Sequence, residues 1–285
     1  MRLDSAGKAS ADRGKAILIL KMAKIGFIGT GNMATALIKA MKGDNEISSS
    51  DKSEEKLQEA KKELHIKTTT DNVGVIKNSE IIFLCAKPYD IKEILQEIKP
   101  NVGNKIIVSI AAGIKIRFIE NIIGKNKKIV RVMPNLNCAV KEMAAAFSCN
   151  NNLKADEKES IKTLLNKAGI ALEIEEEKMD AVTALSGSGP AFIAYILDAF
   201  AKAAEKQGLS REISYKLALQ TLFGTAKLLR ETKENPAGFI KRVASPKGTT
   251  EAGLEVMEKS ELKPIIEKTG HEFTIAVGLA LKAFQ

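Results

Sequence analysis

Short apolar runs alternate with longer amphipathic runs between Lys24 and Ile174. The short runs are rich in Ile and Val, which is typical of strands covered on both faces of a sheet. Two longer runs, Lys52–Leu64 and Lys154–Ala168, each carry one apolar stripe and are predicted to be helices. The pattern therefore predicts parallel strands joined by crossover helices, with strands at Ile25–Ile28, Ile81–Cys85, Ile106–Ile110 and Ile129–Val132.

The pattern changes after Asp180, where the sequence SGSGP interrupts the chain and nearly everything from Pro190 onward has helical character. We place a domain boundary near Ala181, which predicts an α/β domain at 22–180 and an all-α domain at 181–285. Residues 1–21 have a different composition, and we interpret them as an extension, a mis-assigned start or a cloning remnant. Their apolar stretch, Ala16–Leu20, is too short for a signal-peptide core or a membrane span.

The helix that opens at Pro190 has one charged residue, Asp198, in its first eleven positions. A helix that is apolar on nearly all sides must be buried on nearly all sides. About a hundred residues cannot easily wrap it, so a second copy of the chain is the expected cover, giving an isologous homodimer or a larger dimer-based assembly. The alternative is that the helix lies at the centre of one subunit.

The composition indicates an ordinary globular protein, and its positive charge could attract nucleic acid, an acidic membrane face or an anionic small molecule without choosing between them. The 285 residues are 45% hydrophobic and 28% charged, which excludes disordered, collagen-like and small disulfide-rich chains. The net charge is +9, and residues 1–21 contribute +3 of it through five basic and two acidic residues. His65, His271 and three widely spaced cysteines do not form a zinc or disulfide pattern, and the odd cysteine count is typical of a reducing cytoplasm.

The first chemical motif is Gly29-Thr30-Gly31-Asn32-Met33-Ala34, a GxGxxA sequence between a predicted strand and the helix-like run Thr35–Met41. Glycines allow a tight turn, and the helix N-terminus then offers free amides to a pyrophosphate. In this setting the motif indicates dinucleotide binding rather than a purely structural turn.

The end of the second strand bears on the choice of dinucleotide. Its sequence is Ile47-Ser48-Ser49-Ser50-Asp51-Lys52. Hydroxyls and a cation suit the 2′-phosphate of NADP, whereas a carboxylate suits the ribose of NAD. We favour NADP(H), with NAD(H) left open, because Asp51 can cap the next helix instead of facing the ribose.

A second motif, Ser245-Pro246-Lys247-Gly248-Thr249-Thr250, precedes a predicted helix at Ala252–Lys259. Ser-Pro disfavours helix and Gly248 permits a tight turn, so this loop presents amides and hydroxyls at a helix N-terminus. Such an arrangement suits a substrate carboxylate. The structural alternative is an ordinary capped turn.

These motifs, together with FLCAKP, SIAAGI, VRVMPN and DAVTALSGSGPAF, resemble the pyrroline-5-carboxylate reductase family from about Met22 onward. The resemblance implies a Rossmann-type domain, an intertwined helical dimerisation domain, and NAD(P)H-dependent reduction of 1-pyrroline-5-carboxylate to L-proline, the last step of proline biosynthesis. The short apolar stretch near the start and the few, scattered aromatic residues separately argue against a membrane partner and a nucleic-acid partner.

The motifs and the resemblance together give a set of expected site residues. Thr250 is the expected catalytic hydroxyl at the imine nitrogen, with capping of the helix as its alternative role. Substrate-binding positions are Ser245, Lys247, Gly248 and Thr249. Cofactor-binding positions are Gly29, Thr30, Gly31, Asn32, Met33, Ser49, Ser50, Lys52, Asn72, Ala86, Lys87, Pro88, Ala111, Ala112, Gly113, Met133, Pro134 and Asn135.

Two positions depart from the family pattern. Lys247 replaces an expected glycine, and Leu136-Asn137 replaces Thr-Pro. These departures keep open a related reductase that acts on another imine or on a β-hydroxy acid. A non-enzymatic, basic nucleic-acid-binding protein is the other alternative, and it requires clustered basic and aromatic residues, whereas the aromatic residues here are few and scattered.

Overall fold

The structure is a computed structural model that describes residues 23–43, 45–270 and 272. The predicted extension at 1–21 and His271 lie outside these residues. Two compact units succeed one another along the described chain, the first ending at Ser188 and the second beginning at Gly189. This division lies a few residues beyond the boundary predicted near Ala181.

The first unit is an α/β unit around one eight-stranded sheet in the order β3-β2-β1-β4-β5-β6-β7-β8. The strands are β1 Lys24–Ile28, β2 Glu46–Ser50, β3 Lys67–Thr69, β4 Ile81–Leu84, β5 Ile106–Ser109, β6 Lys128–Met133, β7 Met143–Cys149 and β8 Gly169–Glu173. The helices are α1 Asn32–Met41, α2 Glu54–Leu64, α3 Asn72–Lys77, α4 Ile91–Ile98, α5 Ile116–Ile123, α6 Ala155–Asn166 and α7 Met179–Val182.

The four predicted strands and both predicted helices of this unit are present, and β1 to β6 are parallel as expected. β7 departs from the predicted parallel arrangement because it runs antiparallel to β6. The connection between them holds only a 3₁₀ turn, Leu136–Val140, and a parallel return needs a longer crossover. β8 then pairs parallel with β7 after α6.

Both faces of the sheet are covered by helices. Phe27 and Phe83 stack at 4.8 Å between ring centroids and pack with α1, α2 and α6 on one face. Ile82 and Leu84 point to the other face, where they pack with α3, α4 and α5. This double burial explains why the central strands read as continuous apolar runs.

The second unit is all helical over its described residues, as predicted from the run after Pro190. It contains α8 Gly189–Glu205, α9 Arg211–Thr232, α10 Pro236–Val243 and α11 Thr249–Glu258. α8 and α9 pack against each other. Much of their apolar surface stays exposed in the single chain.

Candidate active site

Gly29 forms the turn that follows β1. Its φ of +98° is in the region that favours glycine, and a Cβ there would lie 2.7 Å from the carbonyl carbon of Cys85. The Gly29 amide also donates to the Ser50 carbonyl at 2.7 Å. The turn therefore brings the carboxyl ends of β1, β2 and β4 together.

The N-terminus of α1 is open for an anion. Its N-cap is Gly31, which no side chain caps, and its first turn has no acidic residue. A Cβ on Gly31 would meet nothing within 4 Å. The positive end of the helix dipole and its first amides therefore face unfilled space, which fits the pyrophosphate of a dinucleotide.

A cleft of about 370 Å³ begins at this turn and runs along the ends of β1, β2 and β4. Its walls carry three lysines and four acidic residues, so the cleft has mixed charge. The charged side chains are Lys52, Lys56, Lys87, Asp51, Asp90, Glu93 and Glu97. Tyr89, Asn72 and Ala86 also line it.

Asp51 connects the two loops that border the cleft. Its Oδ2 accepts the Thr30 amide at 2.7 Å, and its Oδ1 accepts the Ser53 amide at 2.9 Å. Both carboxylate oxygens are therefore engaged by backbone amides. The Lys52 side chain is exposed to solvent, and its Nζ lies 3.5 Å from Asp90 Oδ1 across the cleft.

Ser49 and Ser50 are fully buried beneath the cleft. The Ser49 hydroxyl lies 2.7 Å from the Thr30 hydroxyl, and the Ser50 hydroxyl donates to Asn72 Oδ1 at 2.7 Å. The Asn72 amide in turn donates to Glu97 Oε2 at 2.8 Å. The two serines therefore support the loop from below, whereas Asn72 and Glu97 line the cleft itself.

Two further loops follow the parallel neighbours β5 and β6. They hold the predicted residues Ala111–Gly113 and Met133–Asn135. Asn135 is almost fully buried: its Nδ2 donates to the Ser186 carbonyl at 3.2 Å, and its Oδ1 accepts the Ala144 amide at 3.2 Å. The side chain of Asn135 thus holds its own loop in place, and Leu136 beside it is exposed.

In the second unit, Ser245 to Gly248 form a tight turn before α11, and Thr249 and Thr250 are the first two residues of that helix. Gly248 donates its amide to the Ser245 carbonyl at 3.0 Å. Lys247 adopts φ +59°, and its amide donates to Glu251 Oε2 at 2.6 Å. The N-cap of α11 is Gly248, without a side-chain cap, so Thr250 does not cap this helix and its hydroxyl is exposed.

Comparisons with known proteins match both units. A family model described as "Pyrroline-5-carboxylate reductase dimerisation" matches residues 176–274, and one described as "NADP oxidoreductase coenzyme F420-dependent" matches residues 24–113. The pyrroline-5-carboxylate reductase of Aquifex aeolicus is 43% identical over 249 residues, which cover 86% of this chain and 92% of that protein. The chain belongs to the pyrroline-5-carboxylate reductase family.

Solved structures of the pyrroline-5-carboxylate reductase family have the same fold. A pyrroline-5-carboxylate reductase from Coxiella burnetii superposes with a TM-score of 0.86 at 31% identity, covering 90% of this chain and 98% of that one. The Plasmodium falciparum pyrroline carboxylate reductase, solved with NADP bound, has a TM-score of 0.81 at 29% identity and covers 90% and 97%. The family resemblance read from the motifs is thereby confirmed.

The sequence motifs did not reveal several residues of this reductase's cleft. Lys56, Tyr89 and Glu97 come from separate elements, and nothing in their local sequence marks them. The contact of Asp51 with the Ser53 amide could be predicted, because this spacing is typical of a turn ahead of a helix. Its contact with the Thr30 amide, 21 positions away, could not. Among the described residues, no group of three or more His, Cys, Asp or Glu side chains is placed to hold a metal ion.

Proposed function

We propose that this chain reduces 1-pyrroline-5-carboxylate to L-proline with NADPH, the last step of proline biosynthesis. The observation that carries the proposal is the 43% identity to the Aquifex aeolicus reductase over 86% of the chain. The glycine turn at the end of β1 supports a dinucleotide cofactor, which supplies the hydride when bound.

The cofactor preference follows from the side chains at the end of β2. Asp51 is held by the Thr30 and Ser53 amides, whereas Lys52 and Lys56 border the cleft with exposed side chains. A 2′-phosphate would gain from these two ammonium groups. The acidic residues of the opposite wall reduce this advantage, so NADH remains a usable second cofactor in the proposal.

The substrate is an anionic cyclic imine, and the loop before α11 suits it. The N-terminus of α11 would hold the carboxylate through the amides of Thr249 and Thr250, and the Ser245 hydroxyl would add a further donor. The exposed Thr250 hydroxyl would hydrogen-bond the ring nitrogen and hold its proton there while C5 accepts the hydride. One proton and one hydride thus convert the C=N bond to the CH–NH of proline.

A second copy of the chain is proposed to cover the helical unit. This unit exposes more large apolar side chains than the surface of a monomeric soluble protein usually carries. They include Tyr195 at 79%, Phe200 at 61% and Phe223 at 55% exposure, with Ile193, Ile213 and Leu217. The match of this region to the family's dimerisation model favours a homodimer or a dimer-based assembly.

The apolar character of this surface could alternatively be interpreted as that of a membrane-spanning helix. By its length and composition alone, the helical segment Glu176–Glu205 could cross a membrane. The segment lies inside the region that matches the family's dimerisation model, which favours burial of its apolar side chains against a second copy of the chain. The free Cys85, Cys138 and Cys149 support placing the enzyme in the reducing cytoplasm.

The test is to incubate the purified protein with pyrroline-5-carboxylate and either NADPH or NADH. We expect loss of reduced cofactor with formation of proline, faster with NADPH. A panel of other cyclic imines with NADPH, and of β-hydroxy acids with NADP+, tests the related reductases that Lys247 and Leu136 leave open. Turnover of a panel member with none for pyrroline-5-carboxylate would overturn the substrate assignment.

A further inference from the structure

Arg131 is a buried charge in the middle of β6. Only 4% of the residue is exposed. Its Nη1 lies 3.3 Å from Glu176 Oε1, and its Nη2 lies 3.4 Å from Asp180 Oδ1. A buried guanidinium is tolerated only when it is paired, so Arg131 ties the segment 176–180 firmly to the sheet.

The same contact reaches the loop that follows β5. Glu176 Oε1 also accepts the amide of Ile116, the first residue of α5, at 2.7 Å. The Ala111–Gly113 loop comes directly before this helix. One carboxylate oxygen therefore joins the strand β6, through Arg131, to the end of the loop after β5.

The segment then continues into a π-helical turn, Thr183–Gly187, which holds the loop after β6. Ser186 accepts the Asn135 amide through its carbonyl, and its hydroxyl donates to the Ala144 carbonyl. A Cβ on Gly187 would lie 2.5 Å from the Cε of Met133, so the turn packs tightly on this loop. Such π-turns frequently occur at functional sites.

We propose that Arg131 is a positioning residue for hydride transfer. By anchoring the segment 176–188 it fixes both loops that are assigned to the nicotinamide end of the cofactor, Ala111–Gly113 and Met133–Asn135. The inference rests on the proposed function. It assigns Arg131 no contact with the cofactor or substrate; its effect is transmitted through Glu176 and Asp180.

A second ion pair on the same strand supplies a matched control. Lys128, at the start of β6, lies 2.5 Å from Glu157, with side chains 12% and 21% exposed. Its removal also breaks a partly buried ion pair, but at the opposite end of the strand from the two loops. A purely structural role for Arg131 predicts that Arg131→Met and Lys128→Met behave alike.

The experiment compares Arg131→Met, Arg131→Lys and Lys128→Met with the unaltered enzyme. The measurements are kcat, the melting temperature, the affinity for 2′,5′-ADP, and the kinetic isotope effect with NADPH deuterated at the transferred hydrogen. For Arg131→Met we expect kcat to fall by about tenfold or more, a larger isotope effect, and an affinity for 2′,5′-ADP within about twofold of the original. Arg131→Lys should recover part of the loss.

Lys128→Met should lower the melting temperature while its kcat and isotope effect stay unchanged. Equal changes of kcat and isotope effect in the two methionine variants, or an unchanged Arg131→Met enzyme, would overturn the inference. If Arg131→Met does not fold, Glu176→Gln with Glu157→Gln as control gives the same comparison with isosteric side chains. Failure of the unaltered enzyme to reduce pyrroline-5-carboxylate would instead count against the proposed function.

Discussion

Replacement of Thr250 by Ala separates a role in the chemistry from a role in helix stability. The N-cap of α11 is Gly248, and Thr250 lies within the first turn with an exposed side chain. Loss of the hydroxyl therefore removes no cap, and Ala is the better helix former by about 0.5 kcal/mol. We expect the melting temperature of Thr250→Ala to stay the same or to rise slightly.

The effect on turnover should be much larger. A hydrogen bond to a charged partner contributes about 1.5 to 3 kcal/mol, which corresponds to a loss of roughly ten to a hundredfold in kcat/KM. Thr250→Ser keeps the hydroxyl and should retain much of the rate. The affinity for NADPH should be nearly unchanged in both variants, because the hydroxyl is assigned to the imine and not to the cofactor.

Steady-state kinetics and thermal melting on the same preparations test this prediction. Thr163→Ala, at an exposed position on α6, is the matched control: its kcat/KM should be unchanged, and its melting temperature should stay the same or rise slightly for the same reason as in Thr250→Ala. A Thr250→Ala enzyme that melts earlier and turns over normally would refute the assignment. Equal losses in Thr250→Ala and Thr250→Ser would show that the methyl group or the backbone matters, not the hydroxyl.

Three further predictions concern the cofactor, the assembly and the thiols. Lys52→Glu should weaken binding of 2′,5′-ADP by about tenfold relative to 5′-AMP, which lacks only the 2′-phosphate, whereas Lys62→Glu on the solvent side of α2 should not. Equal weakening of both nucleotides by Lys52→Glu would contradict the 2′-phosphate assignment. Phe200 is 61% exposed in the single chain, so a charge there is unfavourable only if a second copy of the chain buries it. We expect Phe200→Asp to be an inactive monomer in light scattering, and an active dimer would count against burial by a second copy. Burial raises the pKa of Cys149 to about 12 and also raises the pKa of Cys85 and Cys138, so a disulfide reagent at pH 8 should modify the native enzyme far more slowly than the urea-unfolded chain.

The regular part of the fold could be predicted because each signal was local. The apolar runs of β1, β4, β5 and β6 have the length and composition of doubly covered strands, and α8 begins at Gly189, one residue before the start predicted at Pro190. β7 was not anticipated because its sequence, MAAAFSC, is rich in alanine, which has little strand preference. Its direction depends on the short connection after β6.

The site was only partly predictable, because its polar contacts join distant residues. Arg131 interrupts an apolar strand, and its partners lie 45 and 49 positions further along the chain. Asp51 could be interpreted as a ribose ligand or as a helix cap, and the structure shows it bridging two loops. Ser50 carries a hydroxyl where a phosphate ligand was expected, yet burial turns that hydroxyl towards Asn72. Motifs locate such residues but do not determine which way their side chains point.

The most direct measurement of the central claim follows one deuterium atom. The enzyme is incubated with pyrroline-5-carboxylate and NADPH deuterated at the transferred position of the nicotinamide, and the product is analysed by mass spectrometry and NMR. Direct hydride transfer to the imine carbon should give L-proline with a single deuterium at C5. Proline without deuterium, or oxidation of NADPH without formation of proline, would contradict direct hydride transfer to the imine carbon.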